Sequence, residues 1–279
     1  MKELVYKIEA ADDGSSVKDF LARKRVSKTI IKKAKMGGIS VSGETVTVRR
    51  ILREGDALTV RLPEEKSEGI EAIDIPLTVV YEDEYLIAVD KPTNMPTHPS
   101  RGNSLPTLAN AVMARFGGDF VFRAVNRLDR DTSGIVLIAK DELSAYRLSK
   151  SMREGKFVKK YEAVVLGIPE TKEGLIDAPI RRECEGSIKR VVAPDGKPAV
   201  TEYKVIKELE NSAVCEIRLY TGRTHQIRVH MAHIGHPLVN DFLYGTRESG
   251  EYALRCIEIA FPHPATEKKL VVRAKTQIL

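Results

Sequence analysis

The spacing of apolar residues over 15–62 predicts a small α+β unit. Ser16 and Ser27 stand where helix N-caps are expected, each ahead of apolar residues at helical spacing. The second helix should run to about Met36 and end at the Gly37-Gly38 pair. Beyond it the pattern changes to alternation, which is typical of strands. The apolar residues that define these elements are Val17, Phe20, Leu21, Ile30, Ile31, Ala34, Ile39, Val41, Val46, Val48, Leu58, Val60 and Leu62.

Basic residues are concentrated in the same unit. Between Gly14 and Leu62 there are twelve Lys or Arg and four Asp or Glu, a net charge of +8, although the whole chain carries only +6. Lys28, Lys32 and Lys35 fall at i, i+4 and i+7, so they share one face of the predicted second helix. A compact surface this basic is a candidate for binding phosphate groups. The alternative is a face of lysines that is only solvated.

An acidic stretch rich in glutamate separates this unit from the rest of the chain. We interpret residues 1–66 as a small domain, 67–76 as a hydrophilic linker with little to bury, and 77–279 as a larger domain. In the larger domain strand patterns dominate and do not alternate regularly with helices, which favours an α+β fold with a mixed, mainly antiparallel sheet. Its predicted strands are Leu77–Tyr81, Leu86–Val89, Gly134–Ala139, Tyr161–Val165, Thr201–Ile206 and Ala213–Leu219, and its predicted helices are Thr107–Phe116, Asp141–Glu154 and Thr224–Ile234.

Several classes of protein are disfavoured by what the sequence lacks. Nowhere are eighteen consecutive residues apolar, and residues 1–14 hold no apolar run of a signal peptide, so we expect no membrane association. Cys184, Cys215 and Cys256 are far apart and odd in number, which favours free thiols in a reducing cytoplasm. There is no Walker loop and no dinucleotide-binding glycine motif.

The stretch Val125–Gly134 is the first of three that carry side chains suited to chemistry. It places Asp129 on a loop directly before a predicted strand, where a carboxylate is firmly held and can face a cleft. By pattern alone, the same stretch could equally be a salt-bridged turn.

The other two stretches supply a guanidinium and a phenol. Tyr220–His230 places Arg223 at the expected start of a helix that Thr221 or Thr224 could cap, where it could fork onto a phosphate or a carboxylate. The third stretch begins a strand that carries one aromatic hydroxyl, Tyr161.

Together these stretches resemble the signature blocks of the RluA/RluD-type family of RNA pseudouridine synthases. The family's central block has the form His-Arg-Leu-Asp-x-x-Thr-Ser-Gly, and this chain departs from it by carrying Asn126 in place of the histidine. We expect that departure to alter local hydrogen bonding and not activity. The order and spacing of the blocks agree over nearly all of 77–279, which makes coincidence very unlikely. The blocks are Leu86–Pro92, Met95–Pro99, Asn126–Gly134, Lys160–Ala163 and Thr221–Gln226.

The N-terminal unit resembles a second family. Its two helices and the Gly37–Gly43 stretch are similar to the small RNA-binding domain shared by a small-subunit ribosomal protein of the S-four type, tyrosyl-tRNA synthetases and many pseudouridine synthases. The resemblance implies that this unit binds RNA through the lysines of its second helix. These are Lys28, Lys32, Lys33 and Lys35.

The resemblance also implies a chemistry and a set of roles. A pseudouridine synthase breaks the N1–C1′ bond of uridine, turns the uracil and joins C5 to C1′, which requires a carboxylate and no cofactor. By matching, Asp129 would be that carboxylate, Arg223 would pair with it, and Tyr161 would stack on the uracil and could also act as a base. Arg127 and Arg130 would face RNA. The implied partner is structured RNA, with large-subunit ribosomal RNA favoured over tRNA, bound by a monomeric, cytoplasmic enzyme.

The sequence admits three other interpretations. His225, His230, His233 and His236 invite a metal site, but no carboxylate has metalloprotease spacing and no cysteine is near, so we expect none. A catalytically inactive, ribosome-associated RNA-binding protein is disfavoured because the three matched catalytic residues are intact. A carboxylate-dependent nucleoside hydrolase is disfavoured because a small substrate does not need the basic N-terminal unit.

Overall fold

A computed structural model of the protein describes residues 2–35, 38–62, 69–99, 106–245 and 253–275. In its N-terminal part, four strands form a sheet that packs against two helices. The strands are β1 (Lys2–Lys7), β2 (Ile39–Val41), β3 (Glu44–Thr45) and β4 (Ala57–Leu62), and the helices are α1 (Val17–Arg23) and α2 (Lys28–Ala34). The strands are antiparallel and lie in the order β1-β4-β2-β3.

The predicted helix caps are confirmed in this part. Ser16 Oγ accepts a hydrogen bond from Asp19 N at 3.1 Å, and Ser27 Oγ accepts one from Ile30 N at 3.0 Å. The apolar face of each helix is buried, as its spacing predicts. The expected stop at Met36 and Gly37 lies outside the described residues, and the described helix ends at Ala34.

The second part is built on a ten-stranded sheet. Its strands are β5 (Thr78–Glu82), β6 (Leu86–Lys91), β7 (Arg123–Ala124), β8 (Ser133–Ala139), β9 (Val158–Leu166), β10 (Glu173–Asp177), β13 (Val200–Glu208), β14 (Ser212–Leu219), β15 (Leu254–Pro262) and β16 (Lys269–Arg273). They lie in the order β10-β13-β14-β9-β15-β8-β6-β5, with β16 paired to β15 and β7 to β8. All the described pairs are antiparallel except β8 with β15, so the predicted α+β class with a mixed, mainly antiparallel sheet is confirmed.

Three helices and a small hairpin complete this part. The strands β11 (Ile180–Arg182) and β12 (Arg190–Val192) form a separate two-stranded sheet next to the third helix. The helices are α3 (Leu108–Arg115), α4 (Glu142–Arg153) and α5 (Gln226–His233). All three were predicted, and the start of α5 lies two residues later than expected.

The parallel pair of β8 and β15 depends on a glycine. Gly134 has a φ of +107°, and a Cβ atom built on it would lie 2.2 Å from the carbonyl oxygen of Cys256. No side chain fits there without moving the backbone. Gly134 therefore allows β15 to approach the strand that follows the Asp129 loop.

The segment before β5 is corrected by the structure. Over its described part it does not behave as a linker with little to bury, because Ile70 and Ile75 pack against the core of the larger domain. Ile73 N donates to Asn110 O at 3.2 Å, and Asn110 Nδ2 donates to Glu71 O at 2.8 Å. The isoleucines of this segment provide its contacts with the core, although its many acidic residues predicted a linker.

Helix α4 lies between the two parts of the molecule. Leu143 on α4 is buried in the N-terminal hydrophobic cluster, and Arg147 Nη2 donates to Lys24 O at 2.8 Å. Lys33 forms an ion pair with Glu142 at 2.9 Å. Lys33 therefore already has an anionic partner in the larger domain, which disfavours the prediction that it contacts RNA.

Candidate active site

The loop that carries Asp129 is fastened to β8 by Asn126. Asn126 is buried, its Nδ2 donates to Ile135 O at 3.0 Å, and its Oδ1 accepts from Leu137 N at 2.8 Å. These two bonds explain how asparagine can replace the histidine of the family block while the loop stays fixed. The backbone on the other side of the loop is held by Thr97, whose Oγ1 donates to Leu128 O at 2.8 Å.

A buried lysine also holds this loop, through hydrogen bonds to backbone carbonyl oxygens. Lys91 has no exposed surface, and its Nζ donates to the carbonyl oxygens of Pro92, Met95 and Arg130 at 2.9, 2.7 and 3.0 Å. Burial lowers the pKa of Lys91 to about 7, although the charge of Asp131 and then that of Asp129 act in the opposite direction. Lys91 thus joins the end of β6 to the loop and places a positive or titrating group behind the carboxylate.

Asp129 itself points into solvent-accessible space. Its side chain is 37% exposed, and two basic groups approach the same oxygen, Oδ2: His225 Nε2 and Arg228 Nη1, each at 3.9 Å. Arg228 is buried and forks onto Asp241, with Nε to Oδ2 at 2.7 Å and Nη2 to Oδ1 at 2.6 Å. The fork fixes the direction of the guanidinium, so its third nitrogen is held towards Asp129.

This geometry corrects the predicted partner of Asp129. Arg223 is exposed on the rim of the cleft, where its Nε donates to Pro198 O at 2.9 Å. The expected caps are also wrong, because α5 begins after His225 and the side chain of Gln226 accepts from Arg223 N at 2.9 Å. Arg223 therefore precedes the helix and cannot project from its first turn. The sequence does contain a sign that Arg228 is buried, because it lies between the apolar residues Ile227 and Val229. A charged side chain that is buried needs a partner of opposite charge.

Tyr161 lies on β9, near the middle of the large sheet. Its side chain is buried, and its register partner on the neighbouring strand is Cys256. Burial first, and then the nearby Cys256 and Asp129, raise the pKa of Tyr161 well above its ordinary value. The phenol is therefore protonated at neutral pH. It offers an aromatic surface to the cleft and is a poor proton acceptor.

A cleft of about 820 Å³ brings these groups together. The size lies within the range of small-ligand pockets and suits one flipped nucleotide. Asp129, Tyr161, Arg228, Arg223 and Arg127 all line it. The cleft is bounded by the Asp129 loop, the end of α4, the start of β9 and the segment that leads into α5.

The predicted RNA-facing residues are spread over two surfaces. Arg127 is exposed within the cleft, whereas Arg130 lies outside its lining and pairs with Asp131 at 2.9 Å. Lys28, Lys32 and Lys35 are exposed on α2 or directly after it.

The histidines that invited a metal site have other partners. His225 Nδ1 is 2.8 Å from Tyr244 Oη, and the buried His230 is bonded to Thr201 Oγ1 and to Ala178 O. In the described ranges, no three His, Cys, Asp or Glu side chains are grouped as metal ligands would be. None of the helices described here is long and apolar enough to cross a membrane.

Comparison with known proteins gives a consistent result. Residues 85–233 match the family model for RNA pseudouridylate synthase. An uncharacterized RNA pseudouridine synthase of Bacillus subtilis, YjbO, is 39% identical over 91% of this chain and 93% of its own. The ribosomal large subunit pseudouridine synthase D of Vibrio cholerae is 36% identical over 85% of this chain and 79% of its own.

Among solved structures, human RNA pseudouridylate synthase domain containing 1 has the same fold. The two align with a TM-score of 0.62 at 24% identity, covering 72% of this chain and 84% of the human one. All the cleft residues except Leu254 lie within the region that the family model matches, and the resemblance of the sequence blocks is confirmed. The chain belongs to the RNA pseudouridine synthase family, of the RluA/RluD type, and is an RNA-modifying isomerase.

Proposed function

We propose that this enzyme isomerises uridines of large-subunit ribosomal RNA, with Asp129 as the reacting carboxylate. The observation that carries the proposal is the position of Asp129: it is exposed to the cleft, fixed by its loop, and flanked on one oxygen by Arg228 and His225. The names of relatives such as the Vibrio cholerae enzyme support ribosomal RNA as the target. A tRNA target is the alternative.

The cleft residues suit each way in which a carboxylate can start this reaction. Asp129 can attack C1′ of the ribose, attack C6 of the uracil, or take the C2′ proton, and each act uses the charged carboxylate. Arg228 compensates for that charge when bound RNA removes water from the cleft. Because Arg228 is fixed by Asp241, it needs no reorganisation as the reaction proceeds.

Tyr161 has the surroundings of a stacking residue. Its side chain is buried on β9 and lines the cleft, so the face of its ring is the part available to the uracil. Its raised pKa makes the phenolate scarce at neutral pH, which disfavours Tyr161 as the base that removes the C5 proton.

The basic residues divide between the cleft and the N-terminal domain. Arg127 can contact the strand from which the target uridine is flipped, and Lys28, Lys32 and Lys35 can contact phosphates at a distance from it. We assign residues 1–66 to an RNA-binding domain of the ribosomal-protein type on the strength of their fold and charge. The free thiols of the described cysteines fit a cytoplasmic enzyme, and we propose that it acts as a monomer.

A comparison of RNA pools tests the target. Ribosomal RNA and tRNA from a strain that lacks this gene are incubated separately with the purified enzyme, and new pseudouridine is mapped by mass spectrometry. The proposal predicts new sites in the large-subunit RNA. New sites confined to tRNA would overturn the target, and release of free uracil would overturn the reaction in favour of nucleoside hydrolysis.

A further inference from the structure

His225 has a backbone conformation that its helix does not require. Its φ is +59°, in the left-handed region, and its side chain does not cap α5. For a residue other than glycine this conformation is unfavourable and often marks a functional site. Here it places the imidazole between two groups of the cleft, with Nδ1 2.8 Å from Tyr244 Oη and Nε2 3.9 Å from Asp129 Oδ2.

The partners of Tyr244 decide which nitrogen of this ring carries hydrogen. Arg190 N donates to Tyr244 Oη at 2.8 Å, so the phenolic oxygen already accepts one bond. Its own hydrogen is then directed to His225 Nδ1, the other hydrogen-bonding atom near it in the described part of the chain. Nδ1 therefore accepts, and a neutral ring must carry its hydrogen on Nε2, which faces Asp129.

Burial of His225 favours the neutral ring. Burial lowers the pKa of His225; the charge of Asp129 opposes this shift, and Arg228 and Arg190 add to it. Asp241, the remaining charged group that faces the ring, acts as Asp129 does. Because the net direction is downward, His225 has one hydrogen at neutral pH.

We propose that Tyr244 orients His225 so that its Nε2–H donates to Asp129 Oδ2 in the RNA-bound enzyme, leaving Oδ1 for the target nucleotide. Arg228 Nη1 approaches the same oxygen, so both donors act on one side of the carboxylate. The 3.9 Å separations exceed a hydrogen bond, and such contacts shorten when substrate closes a site. The proposal rests on the role of Asp129 proposed above, and it makes His225 and Tyr244 positioning residues.

The tautomer of His225 tests the proposal without any activity assay. The free protein is labelled with ¹⁵N-histidine, and the two ring nitrogens of each histidine are distinguished by their shifts and couplings at pH 7. A spectrum of His225→Gln assigns the signal by its loss. We expect the Nε2–H tautomer in the wild type and a mixture of tautomers in Tyr244→Phe. A wild-type ring that carries hydrogen on Nδ1, or on both nitrogens, would overturn the proposal and leave the assignment of Asp129 intact.

Two substitutions of His225 separate positioning from backbone conformation. Gln can present an amide hydrogen near the place of Nε2, whereas Asn is too short but tolerates the left-handed backbone best. With saturating RNA, we expect Gln to stay within about tenfold of the wild-type single-turnover rate and Asn to fall about 100-fold. Both variants should bind RNA with unchanged affinity. An Asn variant as fast as the Gln variant would show that only the backbone matters and would contradict the proposal.

Discussion

Arg228 holds the buried carboxylate of Asp241 by two hydrogen bonds of 2.7 and 2.6 Å, and this pairing aims its remaining nitrogen at Asp129. Asp241 is fully buried and also accepts from the backbone nitrogens of Leu243 and Tyr244 at 3.0 and 3.2 Å. The surroundings of Asp129 are thus connected to the segment after α5.

Arg228→Lys should abolish activity and lower the free energy of unfolding. A lysine keeps the charge but cannot fork onto Asp241, so one buried acceptor loses its partner, at a cost of about 3–5 kcal/mol if the pair is fully broken. Single-turnover rates and denaturant unfolding measure the two effects.

Arg223→Lys is the matched control, because Arg223 is exposed and its guanidinium contacts only a backbone carbonyl in the described structure. We expect its catalytic rate at saturating RNA to stay within about threefold of the wild type, roughly 0.7 kcal/mol. If the Arg223 variant failed and the Arg228 variant did not, the original sequence-based pairing would be right.

Gly134→Ala should destabilise the larger domain. The new Cβ would lie 2.2 Å from Cys256 O and 2.6 Å from Cys256 N, so β8 and β15 would have to separate. We expect a loss of about 3 kcal/mol or more in the free energy of unfolding.

Gly118→Ala controls for backbone strain alone. Gly118 also has a positive φ, +82°, but a Cβ there would meet nothing within 4 Å. It should cost about 1 kcal/mol. Equal losses in the two variants would show that the contact between β8 and β15 is not as close as described.

The lysines of α2 should differ in their contribution to RNA binding. All four lysines are exposed, but Lys33 is also paired with Glu142, whereas no ion pair is described for Lys28, Lys32 or Lys35. If each of the three meets one phosphate, changing all three to Gln should reduce the slope of log affinity against log salt by about two to three units.

Lys33→Gln alone should leave the salt dependence of binding nearly unchanged. The same titration of affinity against salt applies to both variants, and their catalytic rates at saturating RNA should equal that of the wild type. A triple variant with an unchanged slope would show that the basic face is only solvated.

Chelation should leave the reaction intact. His225 and His230 are occupied by Tyr244, Thr201 and a backbone carbonyl, and the proposed chemistry uses a carboxylate alone. Activity is measured after exhaustive dialysis against a chelator, with magnesium restored to refold the RNA. Stoichiometric zinc or iron whose removal abolishes activity would contradict this expectation.

The sequence predicted local features better than contacts between distant residues. Ser16 and Ser27 were found as caps because a cap depends on the next three residues. Arg228 was missed because its partner Asp241 is thirteen residues away and its burial is visible only in the fold. The docking of Ile73 onto Asn110 and the pairing of Lys33 with Glu142 were missed for the same reason.

The blocks of the family gave the site its general location but not its internal geometry. Asp129 and Tyr161 line one cleft, as their blocks implied. Which arginine of the Tyr220–His230 stretch turns inward is decided by the pairing of Arg228 with Asp241, a residue that lies beyond that stretch.

The role of Asp129 is tested most directly by Asp129→Asn. The change is nearly isosteric, and no side-chain hydrogen bond within 3.5 Å is described for this carboxylate, so the fold should survive. The variant is mixed in excess with ribosomal RNA labelled with tritium at C5 of uridine, since joining C5 to C1′ releases that hydrogen. We predict normal RNA binding and no detectable tritium release in a single turnover. Release at a rate close to that of the wild type would contradict the assignment of Asp129 as the reacting carboxylate.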